Sequence, residues 1–152
     1  MLPIPTRFAL VAGRGEGLKP LAAFDNALLD AGIGNLNLIR VSSILPPGAQ
    51  RMERLVIPPG SLVPAAYGTV TSTEPGEIIA AAVAVGLAPP SYGIIMEHAG
   101  RTTRDEAARI VREMLAAAFA ARNMELAVTE VKAVEHKVVH TGCALAAVLL
   151  WY

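Results

Sequence analysis

The chain has 152 residues, of which 53% are hydrophobic and 17% charged, and its 13 Lys and Arg residues balance 13 Asp and Glu residues. This length suits one domain with a substantial core and is too short for two independent enzyme domains. The neutral balance argues against a nucleic-acid partner, which would require a basic face, and the surplus of apolar residues favours an oligomer.

The chain carries no sequence signal for a membrane or for secretion. Its longest apolar stretches, residues 78–88 and 143–151, are shorter than the about 20 residues that a membrane helix requires. The N-terminal residues lack the cationic region followed by an apolar one that marks a secretory signal. We therefore expect a cytoplasmic protein without a membrane partner. The single cysteine, Cys143, lies among alanines and leucines, as is typical of a small buried residue.

The first half of the chain is predicted to alternate strands and helices. Residues 7–12 predict a strand, and residues 20–31 predict a helix with Pro20 in its first turn and Gly32 as its C-terminal stop. The apolar run within residues 35–42 predicts the next strand. Two further segments follow: residues 51–60 are a loop or short strand, and residues 65–71 have the small and β-branched residues of a sheet interior.

The second half begins with a predicted alanine-rich helix. Pro75 suits a first helical turn, so this helix is expected to run to about Leu87 and to end before Pro89-Pro90. Residues 92–97 predict another strand.

A long helix is predicted next. Thr103 and Glu106 have the spacing of a capping box, and the helix should end near Arg122. Its apolar positions fall on one helical stripe: Ala107, Ile110, Val111, Met114, Leu115 and Ala118. Strands are then predicted around residues 126–131 and 144–151. Three helices against several strands favour a layered α/β or α+β domain.

Two patterns carry little functional weight. The glycines of residues 13–17 superficially suggest a dinucleotide-binding loop, but the third glycine comes one residue early and Glu16 would repel a pyrophosphate. Nucleotide binding is therefore not expected. The histidines lack the spacing of a metal site, so no metal is expected: His98, His136 and His140.

The adjacent serines Ser42 and Ser43 are the most informative feature. They follow an apolar run and shortly precede Pro46-Pro47, which removes two backbone donors, so the chain is predicted to be extended around the bond between them. Other motifs follow in order along the chain: AFD at 23–25, DAGIGN at 30–35, LVPAAYG at 62–68, GIIME at 93–97, and GCA at 142–144 through to the terminal WY. Together they resemble the pyruvoyl-dependent arginine decarboxylases, whose precursors are cleaved between two serines.

The resemblance implies a fold and an activity. The expected fold is a single α+β domain over residues 1–152, arranged as a four-layer αββα sandwich and assembled as a homotrimer, with a higher oligomer also open. Autocatalytic serinolysis between Ser42 and Ser43 would give a β chain, 1–42, and an α chain, 43–152, with a pyruvoyl cofactor derived from Ser43. The implied reaction converts L-arginine to agmatine and CO2 for polyamine biosynthesis.

The chemistry agrees with such a cofactor. Decarboxylation leaves an electron pair on the α carbon, which a conjugated carbonyl must accept. Many decarboxylases use pyridoxal phosphate, held by a lysine and a phosphate-binding loop. None of the three lysines here lies in a phosphate-binding context: Lys19, Lys132 and Lys137.

Three polar residues match positions to which the family gives roles. Asn37 is implied to stabilise the oxyanion of cleavage, although an asparagine near a glycine turn also simply fixes the backbone. Glu97, at the end of an apolar strand, is the implied proton donor, because an apolar setting raises a carboxyl pKa; a solvated strand end is the other interpretation. Asp25 is the implied contact for the substrate guanidinium, although a helix carboxylate is more often solvated.

Two alternative functions stay open at this point. Substrate preference depends mainly on Asp25 and on pocket shape, so the chain could be a decarboxylase of another amino acid. It could also be a non-catalytic oligomeric binding protein of the same fold, and a persistently uncleaved chain would favour that interpretation.

Overall fold

The computed structural model describes residues 1–152 and contains two helices and nine strands. The helices are α1 (Pro20–Asp30) and α2 (Arg104–Ala121). The strands are β1 (Arg7–Glu16), β2 (Asn37–Arg40), β3 (Ile44–Leu45), β4 (Gln50–Arg51), β5 (Leu62–Ser72), β6 (Ile78–Leu87), β7 (Gly93–Gly100), β8 (Val128–Lys137) and β9 (Gly142–Trp151). Neither helix is both long enough and apolar enough to cross a membrane.

The strands form two sheets. The five-stranded sheet has the order β2-β5-β9-β1-β4, and the four-stranded sheet has the order β3-β7-β6-β8. Strand β9 is antiparallel to both β1 and β5, whereas β2 joins the edge of β5 in parallel. Strand β6 is antiparallel to β7 and β8. The strands β6 and β9 are almost entirely apolar, which fits interior strands that are buried on both faces.

Three apolar clusters form the core. One contains residues of both sheets, including Phe8, Ile79 and Val148. The second joins α1 to the five-stranded sheet, and the third joins α2 to the four-stranded sheet. The protein is therefore a single α+β domain with two helices and two sheets.

The prediction of a helix after Pro75 is wrong, because residues Ile78–Leu87 form strand β6. Successive residues of β6 enter different clusters, with Ile79 and Val83 between the sheets and Ala80 and Ala82 against α2. A strand that is apolar on both faces shows no alternation, so its sequence cannot be distinguished from that of a buried helix by periodicity. The chain therefore has two helices rather than the three predicted.

The other elements are found close to where they were predicted. The Thr103 side chain accepts a hydrogen bond from the Glu106 N–H at 3.2 Å, which confirms the N-terminal cap of α2. Gly32 has φ +79° directly after the C-cap residue Ala31, as expected for a glycine that ends a helix. The predicted strand over residues 35–42 is shorter, because only Asn37–Arg40 pair with β5.

The glycines of residues 13–17 allow α1 to pack directly on β1. A Cβ added to Gly13 would lie 2.3 Å from the Ala27 carbonyl oxygen, and one added to Gly15 would lie 2.6 Å from the Ala27 nitrogen. Ala23 and Ala27, on the facing side of α1, are fully buried. This glycine pattern thus positions a helix against a strand.

Candidate active site

The Ser42–Ser43 bond lies where the chain passes from one sheet to the other. The Val41 N–H donates to the Ala65 carbonyl on β5 at 3.1 Å, which ends the pairing of β2. The Ser43 carbonyl accepts a hydrogen bond from the Ile95 N–H on β7 at 2.7 Å, and β3 begins at the next residue. Ser42 is exposed, and the bond that follows it is anchored on both sides without belonging to either sheet.

The structure brings Ser43 and Glu97 together. The Ser43–Ile95 hydrogen bond continues the antiparallel register of β3 and β7, in which Ile44 pairs with Ile94. Ile95 is fully buried in the cluster between the sheets, and Glu97, two residues further along β7, lies on the same strand face. Diagonal positions on neighbouring strands are about 7–8 Å apart, within reach of a side chain.

Glu97 is half-buried between the two sheets. Gly68 of β5 lies opposite it, since a Cβ added there would be 3.5 Å from the Glu97 Cβ. Burial raises the pKa of the Glu97 carboxyl, and the positive charge of Arg40 opposes that rise without cancelling it. The carboxyl therefore keeps its proton to higher pH than an exposed glutamate, which suits a proton donor.

Asn37 lies at the opposite end of β2 from the serine pair. Its side-chain amide donates to the Gly60 carbonyl at 3.1 Å. The chain is extended from Asn37 to Val41, and at about 3.3 Å per residue this places the two residues about 13 Å apart. Within one chain, Asn37 is therefore not brought to the Ser42 carbonyl.

Asp25 is also separate from the serine pair within one chain. It is exposed on α1, beside an apolar groove that Leu18, Leu21 and Phe24 help to line. Helix α1 packs on residues such as Ala65, whereas Ala66, the next residue of β5, faces the cluster between the sheets. Asp25 thus lies on the other face of the five-stranded sheet from Glu97.

One contact on the α1 face of the five-stranded sheet, between Arg40 and Tyr67, was not predicted from the sequence. The guanidinium carbon of Arg40 lies 4.0 Å from the centre of the Tyr67 ring. Arg40 is opposite Ala65 in the parallel β2–β5 register, so Tyr67 is its diagonal neighbour. Nothing in the sequence pairs these two residues, because their proximity depends on that register.

A second polar cluster joins the far ends of β1 and β8. Glu16 Oε2 lies 2.5 Å from His136 Nε2, and the Glu16 carboxylate also accepts the N–H groups of Val139 and His140. No group of three or more His, Cys, Asp and Glu side chains is close enough to hold a metal ion. This cluster therefore links the two sheets through hydrogen bonds.

Comparison with known proteins identifies the family. Residues 7–152 match the family described as "Pyruvoyl-dependent arginine decarboxylase (PvlArgDC)". A protein of that name from Methanocaldococcus jannaschii is 50% identical over 98% of this chain and 92% of its own length. Proteins of the same name from Methanococcus aeolicus and Thermococcus kodakarensis are 47% and 39% identical, each over 97% of this chain and 91% and 96% of their own lengths. The chain therefore belongs to the pyruvoyl-dependent arginine decarboxylases, a family of enzymes whose name implies a pyruvoyl prosthetic group.

Proposed function

We propose that this chain cleaves itself between Ser42 and Ser43 and then decarboxylates L-arginine to agmatine and CO2. The observation that carries the proposal is the position of Ser43, held by the Ile95 N–H at 2.7 Å on the strand face that also carries Glu97. A reactive group formed at residue 43 would therefore lie close to the half-buried Glu97 carboxyl.

Cleavage would begin with attack of the Ser43 hydroxyl on the Ser42 carbonyl, which converts the peptide bond into an ester. Removal of the Ser43 α-hydrogen then expels the Ser42 carboxylate and leaves dehydroalanine at residue 43. Water hydrolyses its imine tautomer, ammonia departs, and a pyruvoyl group remains. The products would be residues 1–42 and 43–152.

The surroundings of Ser42 and Ser43 suit this cleavage. Sheet hydrogen bonds fix the flanking Val41 N–H and Ser43 carbonyl, whereas the bond between the serines lies outside both sheets. The segment is therefore fixed at both ends, whereas the reacting Ser42 carbonyl is not part of a strand. Anchored ends reduce the loss of freedom when the hydroxyl approaches the carbonyl.

The residues present also fit a pyruvoyl group at position 43. Such a group accepts the electron pair that departing CO2 leaves behind. Glu97 would hold a proton on its carboxyl oxygen and deliver it to the substrate α carbon. Burial between the sheets raises the pKa of the Glu97 carboxyl, which favours its protonated form, and limits its contact with water.

The proposal includes the layered arrangement and the oligomer. The three apolar clusters support a four-layer αββα sandwich, and a trimer or higher oligomer would cover apolar side chains that one chain leaves exposed. Those side chains include Leu18, Leu21, Leu29, Ile39 and Leu62. We place this oligomer in the cytoplasm.

Denaturing intact-mass spectrometry tests the cleavage. The expected result is two fragments that correspond to residues 1–42 and 43–152, with the larger carrying a pyruvoyl group in place of its N-terminal serine. Ser43→Ala is the matched control and should stay whole, because alanine has no hydroxyl to attack with. A single full-length mass for the wild type would contradict the proposal and favour a non-catalytic binding protein.

Glu97→Gln tests the proton donor. This variant should cleave normally but lose about 100- to 10,000-fold in kcat, the usual range for removal of a general acid. Glutamine keeps the size of the side chain and cannot donate the same proton. Near-normal turnover in the cleaved variant would remove Glu97 from the mechanism.

Asn37→Ala tests whether Asn37 assists cleavage, and it should leave mostly uncleaved chain. Because Asn37 is about 13 Å from Val41 along its own strand, direct assistance requires a neighbouring copy. Co-expression with Ser43→Ala, which keeps Asn37, should then restore cleavage of the Asn37→Ala chain. Full cleavage of Asn37→Ala alone would exclude any role, and absence of rescue would leave a role through the Gly60 hydrogen bond.

Asp25→Asn tests recognition of the guanidinium. A carboxylate binds a guanidinium through paired, charge-assisted hydrogen bonds that an amide cannot match. The expected result is a raised KM for arginine with normal cleavage. An unchanged KM would dismiss this contact, and a second amino acid turned over at a higher kcat/KM than arginine would favour a different substrate.

A further inference from the structure

The outer edge of strand β1 has a short stretch without hydrogen-bond partners. Along β1, alternate residues direct their backbone groups towards β9 and away from it. On the side away from β9, the Phe8 carbonyl accepts a hydrogen bond from the residue after β4 at 2.8 Å, and the Arg14 N–H donates to the Asp30 carboxylate at 2.9 Å. Pairing with β4 ends at Phe8, and no loop backbone bonds the outward groups of Leu10 and Ala12. Two N–H groups and two carbonyls are therefore open along this edge.

The length and burial of this gap favour a small ligand. Leu10 and Ala12 are two residues apart, which is about 7 Å of strand and too short for another strand to add. Leu10 is only 4% exposed. Buried backbone groups nearly always have a hydrogen-bond partner, so a molecule that reaches this edge would gain bonds that the chain itself does not supply.

A cavity of about 270 Å³ lies against the same stretch of β1. Residues 30–33 at the end of α1, residues 53–55 and Lys132 of β8 form much of its wall. Part of the wall is apolar and comes from the cluster that joins α1 to the five-stranded sheet: Val11, Ile33, Leu55 and Leu149. A cavity of this size suits a molecule as small as an amino acid, with an aliphatic portion against the apolar wall.

The cavity also presents charges of both signs. One oxygen of the Asp30 carboxylate accepts the β1 N–H described above, and the other has no partner in the chain. Arg54 and Lys132 take part in none of the ion pairs of the chain. Glu53, by contrast, is paired with Arg51 at 2.6 Å. One carboxylate and two cations are thus available to a ligand that carries both charges.

We propose that this cavity binds a free α-amino acid with an aliphatic side chain. The ligand carboxylate would accept hydrogen bonds from Lys132 and Arg54. The ligand ammonium group would donate to Asp30 and to the outward carbonyls of Leu10 and Ala12, while the aliphatic side chain packs against the apolar wall. Hydrogen bonds between groups of opposite charge are stronger than neutral ones, so both ends of the ligand would contribute to affinity.

This amino-acid site is separate from the candidate active site within the chain. Strand β1 is three positions away from β2, which leads to the serine pair. Neighbouring strands are about 4.8 Å apart, so about 14 Å of sheet lies between the two strands. The inference therefore does not depend on the proposed decarboxylation.

Both products of the proposed cleavage would contribute to the amino-acid site. Strand β1 and Asp30 belong to residues 1–42, whereas Arg54, Leu55 and Lys132 belong to residues 43–152. A ligand that binds only the assembled pair stabilises it, and the stabilisation grows with the ligand concentration. Binding of the amino acid would therefore raise the unfolding midpoint of the cleaved protein.

Isothermal titration calorimetry of the purified protein with L-leucine tests the proposal. The expected dissociation constant is about 1 mM or lower, which is within reach of a ligand of this size. N-acetyl-L-leucine lacks the ammonium group and 3-methylbutylamine lacks the carboxylate. Each should bind at least about 10-fold more weakly than leucine, because one charged end of the cavity is then left unpaired.

Two variants locate the site. Lys132→Met should weaken leucine binding about 10-fold, whereas Lys137→Met, the control on the same strand, should leave it unchanged. Asp30→Asn keeps an acceptor for the Arg14 N–H but loses the negative charge, so it should also weaken binding. Turnover of arginine by Lys132→Met should stay near the parent value, because Lys132 lies outside the candidate active site.

Three results would overturn the proposal. The first is the absence both of a heat of binding and of a rise in the unfolding midpoint at about 10 mM leucine. The second is unchanged leucine binding in Lys132→Met and Asp30→Asn, since the ligand would then lie elsewhere. The third is arginine that binds as tightly as leucine and loses affinity in the same two variants, which would exclude a preference for an aliphatic side chain.

Discussion

Replacing Gly15 by alanine should displace helix α1 from strand β1. A Cβ at Gly15 would lie 2.6 Å from the Ala27 nitrogen, 2.7 Å from the Asn26 carbonyl carbon and 2.8 Å from the Ala23 carbonyl oxygen. All three are backbone atoms of α1, so no side chain can rotate away. The helix would have to retreat by about 0.8 Å to restore an ordinary contact of 3.4 Å.

The expected loss of stability follows from that displacement. Overpacking of a well-packed core costs about 1–3 kcal/mol, and Gly15→Ala should fall in the upper half of this range because the helix backbone itself must move. Gly100→Ala is the control, since the nearest atom to its new Cβ is 3.9 Å away. Alanine there should leave the free energy of unfolding within about 0.5 kcal/mol of the parent.

Urea denaturation of the uncleaved Ser43→Ala chain measures both variants without the complication of two fragments. In the cleavable chain, Gly15→Ala should still be cut, because β5 and β7 anchor the serine segment. Its KM for arginine should rise if Asp25, carried by α1, contacts the substrate. An unfolding free energy for Gly15→Ala equal to that of Gly100→Ala would refute the reasoning on helix packing.

Three further predictions concern stability in the same uncleaved background. Phe119→Ala should cost about 3–5 kcal/mol in urea denaturation, because Phe119 is only 2% exposed; a loss below 1 kcal/mol would contradict this. Thr103→Ala should cost about 0.5–2 kcal/mol through loss of the helix cap, whereas Thr103→Ser should change little; equal losses would exclude the cap. Glu16→Gln should be less stable than the parent near pH 7, with the difference shrinking as the pH falls below 4.5. Burial would raise the pKa of Glu16, but its hydrogen bonds with His136 and two loop amides outweigh burial and hold the pKa below 4.5. The stability that the ionised Glu16 side chain contributes is therefore lost as the pH falls. A difference in unfolding free energy between Glu16→Gln and the parent that does not change with pH would refute this.

Much of the fold could be predicted where the sequence signal is local. The N-cap at Thr103 depends on residues three apart, and the stop at Gly32 depends on one residue that accepts positive φ. Strand β6 could not be predicted, because alanines buried on both faces give the same pattern in a helix and in a strand. The strand is recognised only in the folded chain, where alternate residues of β6 enter two different apolar clusters.

For the candidate site, the sequence indicated individual residues but not how they are arranged in space. The neighbouring serines are visible in the sequence, and a carboxyl at the end of an apolar strand indicated the raised pKa of Glu97. The nearness of Ser43 to Glu97 depends on the β3–β7 register, and the stacking of Arg40 on Tyr67 depends on the β2–β5 register. A single sequence does not show which distant segments pair, or in which register they pair. The roles of Asn37 and Asp25 stay predictions.

The passage of the chain between the sheets at residues 42–43 also determines what a cut there would produce. The fragment 1–42 would become a small subunit embedded in a larger one, because β1 lies between β9 and β4 in the sheet. Its release would require breaking ten successive residue pairings with β9 and uncovering the fully buried Phe8. Dilution should therefore not separate the two pieces. The cut would free the connection between the sheets while both subunits stay in place.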